Sequence, residues 1–265
     1  MYYFILEQSK NRWQSAFQNK VISFLEDLQI IGEVAKANPI QKPDELCQMG
    51  LKKGYNTIVV IGTDTTISGL GAQIAQKKAA LGIIPTDPKS SFYSLIGAEN
   101  WEEAASALPK RRVGIFDMGK VGEDRFFLTY VKIVPPKKRK ICQTIIKFND
   151  FEIDVPALET VVTNGALEKT NPKIVRESFS DGLLDIFVST QTKKKKGSIF
   201  SALFKSDEGK PTFSSVFHAK TIKIIGADQI LNIISPDQKI LNKTPAQISI
   251  VPQAIKIIVK KASKT

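Results

Sequence analysis

The residues best placed to do chemistry follow an unbroken apolar run. Thr57-Ile58-Val59-Val60-Ile61 reads as a strand covered on both faces, and Gly62-Thr63-Asp64-Thr65-Thr66 turns out of it toward a helix. A glycine at a strand-to-helix turn lets backbone N–H groups approach an anion, because no side chain obstructs them and positive φ is tolerated. Threonine hydroxyls can donate to the same anion. A carboxylate such as Asp64 can hold a divalent cation or accept the proton of an attacking hydroxyl. The plainer reading of Asp64 is an Asx-turn or helix-cap residue.

Other candidates are scattered. Asp87, Ser90 and Ser91 follow the strand Leu81–Ile84 and Pro85. Asp181 and Asp185 flank Gly182, which reads as a tight turn before a strand, and Lys239 follows Asp237-Gln238. A single histidine, His218, argues against histidine-based metal or triad chemistry. The two cysteines, Cys47 and Cys142, have neither metal-ligand spacing nor the look of a disulfide framework.

The net charge of +12 points to an anionic partner such as nucleotide phosphates or acidic lipid headgroups. Part of the excess is clustered in Lys137-Lys138-Arg139-Lys140 and in Lys193–Lys196. After the second cluster, Ile199, Phe200, Leu203 and Phe204 share a face at helical spacing. That combination suits a peripheral helix on an anionic membrane surface, or equally a short helix packed beside a solvated lysine tip. No nucleic-acid partner is expected, because aromatic residues are not interleaved with the basic runs. The sequence fixes no oligomeric state.

The elements that must position these residues come in two textures. Up to Arg112 strand and helix alternate: Tyr3–Leu6, an amphipathic helix Trp13–Leu28, Ile30–Val34, a helix opening at Pro43, Thr57–Ile61, a helix near Ile67–Lys78, Leu81–Ile84, and a helix from Trp101 capped by Asn100. This rhythm predicts parallel β-α-β units. Beyond Arg112 strands dominate, including Val113–Phe116, Phe126–Val134, Ile141–Phe148, Leu158–Thr163, Leu184–Ser189, Ala219–Ile225, Gln229–Ile234, Gln247–Val251 and Ala254–Val259. Many alternate apolar with polar, as in antiparallel sheets with one wet face. The expected organisation is an α/β domain with a parallel sheet over residues 1–112 and a β-sandwich-like domain over 113–265. The last strand is a candidate to return to the first domain. No apolar run reaches the ~18 residues of a spanning helix, and the N-terminus reads as a strand, so a cytoplasmic location is expected.

Several stretches, taken in order, resemble the catalytic domain of the diacylglycerol kinase family, which includes bacterial diacylglycerol kinases and sphingosine kinases. Asn56–Thr66 resembles the strand leading into that family's G-G-D-G-T loop. Leu81-Gly82-Ile83-Ile84-Pro85 followed by Phe92 resembles L-G-I-I-P-x-G-T-x-N-D-F. Val161–Gly165 resembles a strand ending in N-G, and Ser180–Ile186 resembles D-G-L-L-D. Asp237-Gln238-Lys239 resembles the D-G-E element. NAD kinases share the first loop, and the D-G-L-L-D segment favours the lipid-kinase branch.

The resemblance implies an ATP- and Mg2+-dependent lipid kinase, acting on a lipid hydroxyl at the inner face of the membrane. Asp64 would be its catalytic and metal-binding carboxylate. Gly62, Thr63, Thr65, Thr66 and Lys239 would surround the nucleotide. The departures are specific. Thr63 and Thr65 replace glycines, and a β-branched residue at positive φ costs roughly 1–2 kcal/mol, so the turn either follows a different path or no longer cradles phosphate. Ser91 stands where a carboxylate is expected, and Lys239 reverses the charge of the third. Leu6–Lys10 replaces the N-P-x-S-G turn. The resemblance therefore carries an alternative, a non-catalytic nucleotide- or lipid-binding relative of the kinases.

Overall fold

The computed structural model describes residues 1–136, 141–148, 151–165, 179–189, 213–236 and 238–260. The runs at 137–140 and 193–196, the stretch holding Phe200 and Phe204, and Asp237 lie outside the described residues.

The first half is built from β1 (Tyr2–Leu6), α1 (Arg12–Asp27), β2 (Gly32–Lys36), α2 (Pro43–Lys52), β3 (Thr57–Gly62), α3 (Asp64–Ile74), β4 (Ala80–Pro85), α4 (Phe92–Ile96) and α5 (Trp101–Ala107). Its strands run parallel in the order β2-β1-β3-β4. Every residue of β1, β3 and β4 is buried, as their unbroken apolar runs require. Side chains alternate between faces. Tyr3, Ile5, Ile58, Val60 and Leu81 pack with α2 and α3, while Tyr2, Phe4, Leu6, Val59 and Ile61 pack with α1 and α5. Asn11 caps α1 through the Gln14 N–H, and Asn100 caps α5 through the Glu103 N–H.

The strand-rich half contains β5 (Val113–Val121), β6 (Arg125–Phe127), β7 (Tyr130–Val134), β8 (Cys142–Phe148), β9 (Phe151–Ala157), β10 (Glu159–Thr163), β11 (Leu184–Ser189), β12 (Phe213–Ala219), β13 (Thr221–Gly226), β14 (Asn232–Ile234), β15 (Ile240–Lys243) and β16 (Ala246–Ile258). β12-β11-β10-β7-β14-β15 form a separate sheet, antiparallel throughout. It packs on the continuation of the first sheet through β16, β13, β8 and β9, with Val131, Ile146, Val162, Ile186, Ile224 and Ile248 between the layers. The fold class is the one expected, an α/β half with a parallel sheet joined to a β-sandwich.

Strand β16 joins the two halves. Its first residues pair with β13, its length follows β5, and Lys256 and Ile257 lie parallel to β4. Its sequence reads as two strands because Pro252 interrupts it. The proline sits in a register shift between Val251 and Ile255, where a missing N–H costs no ladder bond. The opposite error occurs at Phe126–Val134, which reads as one strand and is two in different sheets. β6 pairs β5, β7 pairs β10, and the chain crosses between layers at Leu128 and Thr129. Likewise Ala219–Ile225 straddles the ends of β12 and β13.

Candidate functional site

β1, β3 and β4 end at the same edge of the parallel sheet, since Leu6 pairs with Ile61 and Gly62 with Pro85. β1 has β2 on one side and β3 on the other, so the gap between the carboxyl ends of β1 and β3 is where strand order reverses. Open α/β sheets bind ligands in such a crevice.

The turn after β3 does not take a glycine-loop path. Thr63 is extended at φ −74° and caps α3, which begins at once with Asp64. No residue from Gly62 to Thr66 has positive φ, so the two threonines bear no backbone strain. Thr65 lies on the exposed side of the helix, and Thr66 Oγ1 is 3.5 Å from Thr63 Oγ1.

Glu7, the residue after β1, occupies the crevice. Its Oε2 accepts the Thr63 backbone N–H at 2.6 Å, and its Oε1 accepts the Thr63 hydroxyl at 3.0 Å. Glu7 is held in place from both chain neighbours in space. Its N–H donates to Ile61, and its carbonyl accepts from the buried side chain of Gln18. Gly62 permits the approach, because a Cβ there would come 3.0 Å from Glu7 Oε2. The carboxylate also faces the positive end of α3, which favours an anion.

Asp64 points the other way, to the loop after β4. Its carboxylate accepts the Ser90 hydroxyl, and its second oxygen lies 3.5 Å from Ser91 Oγ. Ser90 is 6% exposed and its oxygen also receives the Phe92 N–H. The structure thus brings together Gly62, Thr63, Asp64, Thr66 and Ser91. Asp87 is apart. It is exposed and accepts the Lys89 N–H at 2.9 Å in a local turn. Tyr93, beneath this loop, donates to the Pro85 carbonyl, and burial with nearby Glu102, Asp64 and Asp87 pushes its phenol up to about 12.

Lys239 sits elsewhere. Its ammonium is 2.6 Å from Asp44 in the first turn of α2. Both line a cleft of about 660 Å3 between α2–α3 and the strand-rich half. Its walls combine apolar side chains (Ala72, Phe126, Leu241) with Lys77 and two ion pairs, Lys239–Asp44 and Arg125–Asp124.

The D-G-L-L-D segment serves the framework. Gly182 has φ +71° and donates to Asp117, while Asp181 accepts the Leu183 N–H. Asp185 is 3% exposed in β11 and pairs with His218 on β12. Sequence reading missed Glu7, whose position after β1 was seen only as a departure, and missed Asp117, which lies in an apolar-looking strand. Only the observation that parallel strands end at one edge could have pointed to Glu7.

No protein-family model matches the chain, and no curated protein matches it in sequence. Solved structures do. A diacylglycerol kinase from Bacillus anthracis str. Sterne is similar with a TM-score of 0.70 and 22% identity, over 97% of this chain and 96% of that one. An NAD kinase from Archaeoglobus fulgidus, solved in complex with ATP, is similar with a TM-score of 0.59 and 16% identity, over 98% of this chain and 94% of that one. At these identities the likeness is one of fold, so this chain has the two-part fold found in those lipid and dinucleotide kinases.

Proposed function

We propose that the chain is a lipid-kinase-like protein that binds an anionic lipid and no longer transfers phosphate. The observation that carries this reading is the Asp64 carboxylate turned toward Ser90 and Ser91. A magnesium ion needs hard oxygen ligands, usually carboxylates together with substrate phosphates. On this turn one carboxylate faces serine hydroxyls and the other, Glu7, faces Thr63. Ser91 and Lys239 stand where the resemblance implies two more acids. That donor set does not fit magnesium.

The cleft suits an amphiphile with an anionic headgroup. Ala72, Phe126 and Leu241 offer apolar surface, and Lys77 offers a cation beside the exposed Arg125–Asp124 and Lys239–Asp44 pairs, whose surface acids a headgroup would displace. In this reading residues 1–112 form the former nucleotide-binding half and residues 113–265 the lipid-side half, with β16 shared. The protein is cytoplasmic and peripheral at the inner membrane face, reached through Lys193–Lys196, Phe200 and Phe204. Among the described residues no helix is long and apolar enough to cross a membrane.

A second reading, an active ATP- and Mg2+-dependent lipid kinase, is favoured by the position of Asp64 in the first turn of α3 at the strand edge and by the ATP bound to the NAD kinase neighbour. The two are separated by titrating Mg-ATP and assaying lipid phosphorylation, with Asp64→Ala as control. Saturable lipid binding without turnover is expected. Turnover that Asp64→Ala abolishes would establish the kinase instead.

A further inference from the structure

We infer that Glu7 is a specificity-determining residue: its carboxylate fills the anion position at the start of α3 and so excludes phosphate from the crevice between β1 and β3. This rests on reading that crevice as a former phosphate seat, as proposed above.

The geometry carries the inference at three points. The crevice lies where strand order reverses, between the carboxyl ends of β1 and β3. The Thr63 N–H and hydroxyl, two of the donors at the start of α3, both go to Glu7, at 2.6 and 3.0 Å. The carboxylate is also fixed, because the Glu7 N–H and carbonyl are bonded to Ile61 and Gln18, and Gln18 is itself 2% exposed. A phosphate entering the crevice would have to displace a tethered negative charge that already satisfies the same donors, and it would meet like-charge repulsion on approach. Glu7 is an anion supplied by the chain, covalently held at high effective concentration.

The consequence is selectivity. The protein keeps the Thr63 donors at the start of α3 and spends them on its own carboxylate. Ligands bearing oligophosphates are refused at this edge, while the cleft lined by Lys77, Arg125 and Lys239 is untouched by Glu7 and stays open to other anions.

The test uses inorganic tripolyphosphate without metal, followed by calorimetry and by the 15N–1H shift of Thr63 in the full-length protein. Wild type is expected to show an unmoved Thr63 amide, with any tripolyphosphate binding confined to the cleft lined by Lys77, Arg125 and Lys239. Glu7→Ala frees both donors and removes the charge, so saturable binding at least about tenfold tighter than any wild-type affinity is expected, with the Thr63 amide shifting. Glu7→Gln removes the charge and keeps an acceptor oxygen, so it should fall between the two. Its single carbonyl oxygen can still accept the Thr63 N–H, with its NH2 donating to the Thr63 hydroxyl oxygen, so it keeps a tie to α3 and serves where the alanine variant fails to fold. Wild-type binding that shifts Thr63 would overturn the inference, as would folded variants that bind no better than wild type. Either result leaves the lipid-binding reading standing, because that reading falls on absent lipid binding or on Asp64-dependent turnover, and tripolyphosphate binding measures neither.

Discussion

The buried carboxylate of Asp117 accepts the backbone N–H of Gly182 at 2.9 Å, and its second oxygen accepts that of Gln253 at 2.9 Å. Asp117 is 4% exposed. One side chain in β5 thereby ties the turn before β11 to the irregular point of β16, where Gln253 has φ +54°. Its backbone joins in, receiving Asn164 at its carbonyl and donating to Phe179. Replacing it removes the acceptor of two partly buried amides. Asp117→Ala is expected to lower stability by about 2–4 kcal/mol, and Asp117→Asn by about half as much because one acceptor survives. Urea unfolding measures both, and an alanine effect below about 1 kcal/mol would contradict the tie.

The pairing of Asp64 with Ser90 should be measurable as a coupling. Asp64 lies in the first turn of α3, where an acid favours the helix, and Ser90 is buried in the loop after β4. A double-mutant cycle with Asp64→Ala and Ser90→Ala is expected to give an interaction of about 1–2 kcal/mol. Additive single effects would show that the two residues do not hold each other.

The Lys239–Asp44 ion pair is half exposed, with side-chain exposures of 58% and 41%. Such pairs contribute about 0–1 kcal/mol to folding. Lys239→Ala should therefore leave the urea midpoint nearly unchanged. Its effect should appear in the cleft, as roughly threefold to tenfold weaker binding of vesicles rich in phosphatidic acid, with a shallower salt dependence. Unchanged vesicle affinity would remove Lys239 from the binding surface.

Alkaline pH should destabilise the protein. Burial, aided by Asp44, pushes the Cys47 thiol from 9.0 up to about 12, and burial does the same for Tyr93 from 10.0. Both groups keep their protons when folded and lose them first when unfolded. The unfolded chain then binds fewer protons, so stability falls as pH rises from about 9 toward 12. Each group contributes a slope of at most about 1.4 kcal/mol per pH unit. Tyr93→Phe is expected to flatten the fall above pH 10, while costing about 1 kcal/mol at neutral pH through the lost bond to Pro85. Urea midpoints from pH 7 to 11 test the sign, and a rise would refute it. The same protonated, buried thiol should resist labelling by thiol reagents until the protein unfolds.

Local pattern was enough for much of this molecule. The runs at Tyr3–Leu6, Thr57–Ile61 and Leu81–Ile84 read as strands, the second as one buried on two faces, and the spacing from Trp13 to Leu28 reads as a one-sided helix, as the structure has them. Alternation beyond Arg112 identified antiparallel sheets. Where a strand changes layer, as at Leu128–Thr129 and Lys220, alternation runs on through the corner and gives no sign of it. α4 is five residues long beneath a serine-rich loop and β15 only four, too few for either periodicity to stand out from its surroundings.

At the candidate site, the residues of the β3–α3 turn were legible because they are contiguous and sit between a strand and a helix. The sequence by itself determined that Gly62–Thr66 emerges at the end of a buried strand with Asp64 as its carboxylate. It could not show that Glu7, 56 positions from Thr63, is the group facing that turn. Nor could it show that Asp64 turns to Ser90 and that Lys239 reaches back to Asp44. Those contacts depend on parallel strands β1, β3 and β4 ending in register at one edge and on β14–β15 folding back beside α2. Strand pairing is a long-range hydrogen-bonding choice, and no local spacing encodes which ends will meet.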